Sequence, residues 1–256
     1  DEKETQCIPA MQLFLSQLSQ FNEVDISVIA LEYPYQRRTY TWKGIQVFAL
    51  GGKNKGGVRK LLNWQKVSRL AVQLHKENRL DRVHSFWMSD CALIGNRISR
   101  KLSIPHSCTL MGQDVLKTNK YFDRIKPLPK LVALSEFHKR QLEANFKVLP
   151  SHVIPWGVEN ISSTNVRSID VIGVGNLIDL KCFSRFLLIV QNLKKSIPEI
   201  KVEIVGEGEK LQDLLRLCDG LDISENVTFV GGKNREDTLE RMSHAKCLLH
   251  CSDFES

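Results

Sequence analysis

The sequence predicts an α/β protein in which two domains are each built around a parallel β-sheet. Short apolar, β-branched runs alternate with amphipathic helical patterns along nearly all of the 256 residues. A polar segment without periodicity, ENISSTNVRS at 159–168, divides this alternation into two halves. We therefore predict a first domain over residues 1–158, a linker over 159–168 and a second domain over 169–256.

The sequence of the first half of the first domain predicts a helix, two strands and a long helix. The helical pattern of residues 8–21 is followed by strands over 24–31 and 45–50, with a loop between them that contains Pro34 and a basic pair. A glycine-rich basic loop then leads into an amphipathic helix over 58–78.

The second half of the first domain alternates short strands with capped helices. Strands are predicted over 82–87, 105–111, 130–134 and 152–154. Ser89 or Asp90 is placed to cap the helix that ends at Leu102, and Ser135 to cap the helix that follows it.

The second domain opens with a strand, a glycine turn, a cation and a helix. The run Ile169–Phe183 contains Gly173, Gly175 and Lys181, and an amphipathic helix follows at once. Glycine lets the backbone approach a ligand, and a helix N-terminus beside a lysine attracts anions, so the unit suits a phosphate. The alternative is that the glycines only turn a buried strand into a helix.

Three further strands are predicted in this domain, over 201–205, 227–230 and 246–250, with helices over 211–217 and 235–243. Because ligands of parallel sheets bind at the carboxyl ends of the strands, the loops after these strands are the expected site. His244, Cys247, His250 and Cys251 lie near one another in sequence, but we attribute them to core packing and expect no metal site.

Composition and charge restrict the classes of protein to consider. No apolar run approaches the roughly 20 residues of a membrane span, and seven cysteines without a CxxC pair favour reduced thiols in a cytoplasmic protein. Residues 1–165 hold 24 Lys+Arg against 14 Asp+Glu, whereas residues 166–256 hold 12 against 15. A basic first half suits an anionic membrane, a charged lipid-linked substrate or nucleic acid, although no motif supports the nucleic-acid partner. The alternative is a solvated basic surface without a special partner.

The order of the turns resembles that of glycosyltransferase family 4, the retaining glycosyltransferases with two Rossmann-like domains (GT-B). Eight segments carry the resemblance: VHSFW (83–87), TLMGQDV (109–115), KLVALSE (130–136), VIPWGVE (153–159), VGNLIDLKCF (174–183), VEIVGEGE (202–209), VTFVGG (227–232) and HCSDFES (250–256). The resemblance implies parallel sheets that face each other across a cleft, with a nucleotide-sugar donor in the second domain.

The resemblance also implies roles for individual residues at the donor side. Lys181 matches the lysine that binds the donor diphosphate, and Glu255 matches the first of two glutamates, which approaches the donor sugar. Asn176 stands where many members have an arginine, and losing such a charge-assisted contact costs about 1.5–3 kcal/mol. The glycines at the ends of the motif strands complete the implied donor-binding set: Gly175, Gly206 and Gly231.

On the acceptor side, the resemblance points to His84, Gly112 and Asp114. Met111 stands where the family motif has histidine, so no acid/base role transfers to it. A hydrogen-bonded structural histidine is an equally good interpretation of His84. The usual first strand with its glycine-rich loop and the end of the second domain have no counterpart here, and our hypothesis is that the sequence is an internal fragment of a longer protein.

These implications lead to a prediction of function. We expect a retaining transfer of a sugar from a UDP- or GDP-linked donor to a hydroxyl of a saccharide or lipid-linked acceptor, in polysaccharide or glycolipid synthesis. No metal or other cofactor is expected, and the basic domain could contact the inner membrane face peripherally. The alternatives are a sugar-nucleotide epimerase of the same architecture and a non-catalytic sugar-nucleotide binding protein.

Overall fold

The computed structural model describes residues 8–53, 55–158 and 166–253. These residues divide into two compact units, one spanning Ala10–Val158 and the other containing residues 166–253. Most of the predicted linker and Glu255 lie outside the described residues.

Within its described residues, the first unit contains five helices and seven strands. Its helices are α1 (Pro9–Leu18), α2 (Val58–Glu77), α3 (Asp90–Leu102), α4 (Tyr121–Arg124) and α5 (Glu136–Phe146). Its strands are β1 (Ser27–Ala30), β2 (Arg38–Trp42), β3 (Ile45–Ala49), β4 (Val83–Phe86), β5 (His106–Thr109), β6 (Lys130–Ala133) and β7 (His152–Val153). A 3-10 turn over Gly112–Val115 follows β5.

These strands form two sheets. Strands β4, β5, β6 and β7 make a four-stranded sheet in chain order, and all of its pairings are parallel. Strands β1, β3 and β2 make a second sheet in that order, in which β1 is parallel to β3 and β2 is antiparallel. Buried side chains of α2 and α3, including Val67, Ala71, Ile94 and Ile98, pack together with Leu50 beneath the strands.

Strand β2 corrects the sequence-based prediction of a loop over residues 31–44. The segment RTYTW is rich in β-branched and aromatic residues, and it pairs with β3 residue by residue from Arg38 to Trp42. Lys43 and Gly44 both have positive φ, 47° and 79°, which is the backbone of a two-residue hairpin turn. The Lys-Gly pair was the signal for this hairpin in the sequence.

The predicted helix caps of this unit are confirmed. Ser89 precedes α3, and its side chain accepts a hydrogen bond from the backbone N–H of Cys91. Ser135 precedes α5, and its Oγ accepts from the N–H of His138 at 3.1 Å. Each hydroxyl thereby satisfies a backbone donor that has no partner within its helix.

The second unit alternates strand and helix throughout. Its elements are β8 (Ile169–Val174), α6 (Phe183–Lys194), β9 (Val202–Val205), α7 (Leu211–Gly220), β10 (Val227–Gly231), α8 (Arg235–Ser243) and β11 (Ala245–Leu248). The strands form one parallel sheet in the order β10-β9-β8-β11. Phe186 and Leu187 of α6 and Ile204 of β9 are fully buried in the core between the sheet and its helices. The parallel α/β architecture predicted for this half of the chain is confirmed.

Candidate functional site

The loops that follow β8, β9 and β10 are joined by backbone hydrogen bonds at the carboxyl edge of the second sheet. The N–H of Gly175 donates to the carbonyl of Val205 at 3.0 Å, and the N–H of Gly206 donates to the carbonyl of Gly231 at 3.0 Å. These bonds continue the parallel ladder one residue beyond the strands. They bring Gly175, Gly206 and Gly231 to one edge, where ligands of such sheets bind.

The close approach of two of these loops requires glycine. A Cβ on Gly206 would lie 1.9 Å from the carbonyl oxygen of Gly175, and the φ of Gly206 is +154°. A Cβ on Gly208 would likewise lie 2.5 Å from the carbonyl oxygen of Leu177. The loop after β9 therefore lies directly on the loop after β8, with no side chain between them.

Lys181 lies beside these glycines. It ends a short 3-10 helix, Asp179–Lys181, that connects β8 to α6, and the site of a Cβ on Gly175 would lie 3.6–3.7 Å from the Lys181 side-chain carbons. Its side chain lines a small hollow beside them. The other residues lining this hollow are Val174, Phe183, Phe186, Leu249, His250, Cys251 and Ser252.

The hollow contains a hydroxyl that the sequence analysis did not single out. The Oγ of Ser252 is buried and has no hydrogen-bond partner among the described residues. A buried hydroxyl without a partner is costly, so one beside a lysine indicates a place for an oxygen-rich ligand. His250 and Ser252 follow β11, which is far from Lys181 in sequence, and the family resemblance of HCSDFES (250–256) was the signal that connected this segment to the donor side.

The segment after β11 is held against the loop before α6. The N–H of Asp253 donates to the carbonyl of Leu180 at 3.0 Å. The Arg185 guanidinium donates to an Asp253 carboxylate oxygen at 3.0 Å and to the carbonyl of Cys251 at 3.2 Å. These contacts hold Ser252 at the hollow. Glu255 lies outside the described residues, so its predicted role at the donor sugar stays a prediction.

Two residues of the loop between β8 and α6 are unusual for their positions. Asn176 is exposed at the start of the loop and brings an amide where the resemblance implies a cation. Cys182, between Lys181 and α6, has φ 50° and ψ 42°, a left-handed conformation that favours glycine. Its Sγ donates to the carbonyl of Asp179 at 3.3 Å.

In the first unit, His84 lies between two hydroxyls of the neighbouring strand. Its Nδ1 is 2.8 Å from Ser107 Oγ and its Nε2 is 3.0 Å from Thr109 Oγ1. The ring also packs edge-on against Phe86, with centroids 4.9 Å apart. His84 is nevertheless exposed, so both of its interpretations, structural and functional, fit this position.

Asp114 links the turn after β5 to the segment that follows β4 through hydrogen bonds. Its Oδ2 accepts hydrogen bonds from the N–H groups of Met88 at 2.7 Å and Met111 at 2.8 Å. The side chain is only 8% exposed, and burial raises the pKa of its carboxyl to about 6 despite these two donors. Gly112 is the first residue of the turn that Asp114 holds.

A buried imidazole–hydroxyl pair, which the sequence analysis missed, lies beneath this edge. Ser85 Oγ donates to the carbonyl of Cys91 at 3.1 Å and is 2.9 Å from His106 Nε2. Because the hydroxyl proton of Ser85 is already donated, Nε2 of His106 carries the ring proton, and Nδ1 has no partner among the described residues. Burial lowers the pKa of His106 to about 4. A Cβ on Gly95 of α3 would lie 2.4 Å from Ser85 Oγ, so a glycine at this position leaves the space that the Ser85–His106 pair occupies.

Within the described ranges, no three His, Cys, Asp or Glu side chains are grouped as a metal site requires. The candidate site of the second unit is thus made of glycine loops, a lysine and a hydroxyl at the carboxyl edge of a parallel sheet. Such a site can bind an anion through backbone N–H groups and a cation.

Comparison with known proteins agrees with this geometry. Residues 158–256 match the model of the family "Glycosyl transferases group 1". An uncharacterized glycosyltransferase of Haemophilus influenzae is 26% identical over 167 residues, which are 62% of this chain and 46% of that protein. The chain spans less than half the length of the curated relatives it matches.

Two solved structures show the same fold. WaaG, a glycosyltransferase involved in lipopolysaccharide biosynthesis, has a TM-score of 0.65 at 15% identity, covering 95% of this chain and 71% of that chain. The pneumococcal O-GlcNAc transferase GtfA, in complex with UDP and GlcNAc, has a TM-score of 0.54 at 15% identity, covering 74% of this chain and 40% of that chain. Residues 158–256 are therefore similar to the family of group 1 glycosyl transferases, and the chain shares its α/β fold with the solved glycosyltransferases WaaG and GtfA.

Proposed function

We propose that the protein containing this chain transfers a sugar, with retention of anomeric configuration, from a UDP- or GDP-linked donor to an acceptor hydroxyl. The observation that carries the proposal is the position of Lys181 beside Gly175, at the carboxyl edge of a parallel sheet, within the segment that matches the transferase family. The UDP and GlcNAc bound to the neighbour GtfA support a nucleotide-sugar donor.

In the proposed reaction, the bond between the anomeric carbon and the donor diphosphate breaks, and the oxygen of the acceptor hydroxyl bonds to that carbon on the same face. The proton of the hydroxyl passes to the departing diphosphate. Negative charge then develops on the departing diphosphate. Lys181 and the first turn of α6, which begins at Phe183, would stabilise that charge. Such groups act on the transition state because they are fixed in place before the reaction.

The loops around Lys181 fix the diphosphate in this proposal. Gly175 and Gly206 allow the two loops to pack closely at this edge, and Ser252 offers a hydroxyl in the hollow. Asn176 would donate to a phosphate oxygen without adding charge, so Lys181 carries the larger share of the electrostatic contribution. Glu255 would contact the donor sugar, as the resemblance implies. We propose that the reaction uses no metal or other cofactor.

The acceptor belongs to the first unit in this proposal, with His84, Gly112 and Asp114 as its candidate residues. We propose a saccharide or lipid-linked acceptor and a cytoplasmic location with peripheral contact at the inner membrane face. The neighbour WaaG is involved in lipopolysaccharide biosynthesis, which supports an acceptor of this class. In the described part of the chain, no helix combines the length and apolar character that crossing a membrane requires.

Product analysis of the purified full-length protein tests this function. The protein is incubated with UDP- and GDP-sugars, with and without saccharide acceptors, and products are identified by mass spectrometry and NMR. We expect an acceptor-dependent glycoside that retains the donor's anomeric configuration. A changed donor sugar without acceptor would instead identify an epimerase, and no turnover with intact nucleotide binding would identify a binding protein.

A pair of lysine variants makes the test specific. Lys181→Ala should lower kcat/KM by at least about tenfold, the equivalent of one charge-assisted hydrogen bond. Lys195→Ala removes an exposed lysine of the same unit whose Nζ contacts only Asn192 among the described residues, at 2.9 Å, and should leave kcat/KM unchanged. Unchanged turnover in Lys181→Ala would contradict the role given to Lys181.

A further inference from the structure

The first unit contains a second concave surface, rich in cations, that the proposed reaction does not use. Five exposed basic side chains, contributed by α3 and by the segment around α4, line an open groove. We call this surface the basic groove. Its lining residues are Leu93, Asn96, Arg97, Arg100, Lys101, Arg124 and Lys126.

The charges of the basic groove are not neutralised by protein carboxylates. No acidic residue lines it, and within the described ranges Arg100, Lys101 and Lys126 form no ion pair. Like charges placed together repel each other, so an arrangement of this kind is stabilised by an anion.

Two of the guanidinium groups are held in place by aromatic rings. The guanidinium carbon of Arg97 lies 5.1 Å from the centre of the Trp64 ring, and that of Arg124 lies 5.8 Å from the centre of the Tyr121 ring. Tyr121 is itself fixed, because its hydroxyl donates to the Asp90 carboxylate. Held guanidinium groups lose less side-chain entropy when they bind a ligand.

A side-chain amide faces the same groove. Asn96 lines it although the residue is only 9% exposed, and its side chain makes no hydrogen bond to another described residue. The amide of Asn96 is therefore open to the groove, where it can donate to a ligand. An amide N–H₂ and several guanidinium groups are all donors, and their common ligand is an oxyanion.

We propose that the basic groove binds a phosphoryl group, with Asn96 at its floor and Arg97, Arg100 and Lys126 around it. Guanidinium groups match the geometry of phosphate oxygens, and the groove has room for the molecule that carries the phosphate. No aromatic side chain lines it for base stacking, which disfavours single-stranded nucleic acid. The phosphate belongs either to an anionic lipid headgroup or to a free phosphorylated compound.

Two binding measurements on the full chain distinguish these sources. Inorganic phosphate is titrated by calorimetry, and vesicles of phosphatidylcholine with and without phosphatidylglycerol are used for co-sedimentation. Binding of inorganic phosphate identifies a free phosphorylated compound as the ligand class, and binding only to the phosphatidylglycerol vesicles identifies a lipid headgroup. Either result supports the proposal if the binding requires the side chains of the basic groove.

Matched double variants test that dependence. Arg100→Ala with Lys126→Ala should weaken binding at least about tenfold, because both residues are exposed donors of the groove. Arg69→Ala with Lys76→Ala removes the same charge from the exposed side of α2 and should leave binding unchanged. Asn96→Asp places a carboxylate at the floor and should abolish binding, with circular dichroism to confirm folding. Equal losses in both double variants, or no binding by the wild-type chain in either measurement, would overturn the proposal.

Discussion

The backbone of Gly206 lies so close to Gly175 that a Cβ on Gly206 would be 1.9 Å from the Gly175 carbonyl oxygen. The two glycines end adjacent parallel strands, β9 and β8, and the loops that follow them form the candidate donor site. Packing at the end of the sheet and the shape of the ligand site therefore depend on the same contact.

Gly206→Ala should reduce the free energy of unfolding by about 2 kcal/mol or more, because the atom that the new methyl group meets belongs to the backbone. Chemical denaturation followed by circular dichroism measures the change. Gly220→Ala is the matched control: a Cβ on Gly220, the last residue of α7, meets nothing within 4 Å. That variant should be neutral or stabilising by up to about 1 kcal/mol. Equal stability of the two variants would mean that the loops are not in contact.

Cys182→Gly should stabilise the protein by about 0.5–1 kcal/mol. Cys182 has a left-handed backbone, φ 50°, which costs any residue with a Cβ more than it costs glycine. Cys182→Ala keeps the strained backbone and removes only the thiol, so it should give no stabilisation. Thermal unfolding of the two variants separates the backbone effect from that of the thiol contact with Asp179. Stabilisation by alanine as large as that by glycine would contradict the backbone explanation.

His106 should make stability fall as the pH falls from about 6.5 to about 4. Burial lowers the pKa of His106 from 6.5 in the unfolded chain to about 4, so the unfolded state binds the proton first and is favoured at acidic pH. His106→Gln retains an N–H that can reach Ser85 but cannot titrate. We expect a flatter dependence of Tm on pH in this variant over that range, measured by differential scanning calorimetry. The same slope in variant and wild type would show that His106 does not titrate as described.

Asp114 should make the protein less stable as the pH rises from about 4 to about 6, which is opposite to the effect of His106. Burial raises the pKa of its carboxyl to about 6, so the folded state holds the proton more tightly and its stability falls as the pH rises through this window. Asp114→Asn keeps an oxygen that can accept from Met88 and Met111, and it carries no charge. This variant should gain about 1–3 kcal/mol relative to wild type above pH 6, and less at pH 4.

Urea denaturation at the two pH values measures the Asp114 effect. Asp114→Ala is the control, since it removes the acceptor of both N–H groups and should destabilise the protein at either pH. A stability difference between wild type and Asp114→Asn that does not change with pH would contradict the raised pKa.

Local signals predicted most of the elements. Ser89 and Ser135 each precede an apolar helical pattern, and both cap the helix as predicted, because a cap depends on residues within one turn. The strand–glycine–lysine–helix unit could also be predicted, since its parts are adjacent in the chain. Strand β2 was missed because its hairpin is specified by the Lys43-Gly44 turn, inside a segment that Pro34 and two arginines made resemble a loop.

The side chains that complete each site could not be predicted in the same way. Ser252 reaches the Lys181 hollow because β11 pairs with β8, a contact between distant parts of the chain. The Ser85–His106 pair likewise needs the register between β4 and β5. Such pairings depend on sheet order and register, which a pattern of apolar residues does not specify.

Nucleotide binding by the full-length protein and its Lys181→Ala variant tests the central claim most directly. Isothermal titration with UDP and with GDP should show binding of one of the two nucleotides to the wild type. The Lys181→Ala variant should bind that nucleotide at least about tenfold more weakly, whereas Lys195→Ala should bind it as the wild type does. Wild-type affinity in Lys181→Ala, or no binding of either nucleotide to the wild type, would contradict the assignment of this edge of the sheet as the donor site.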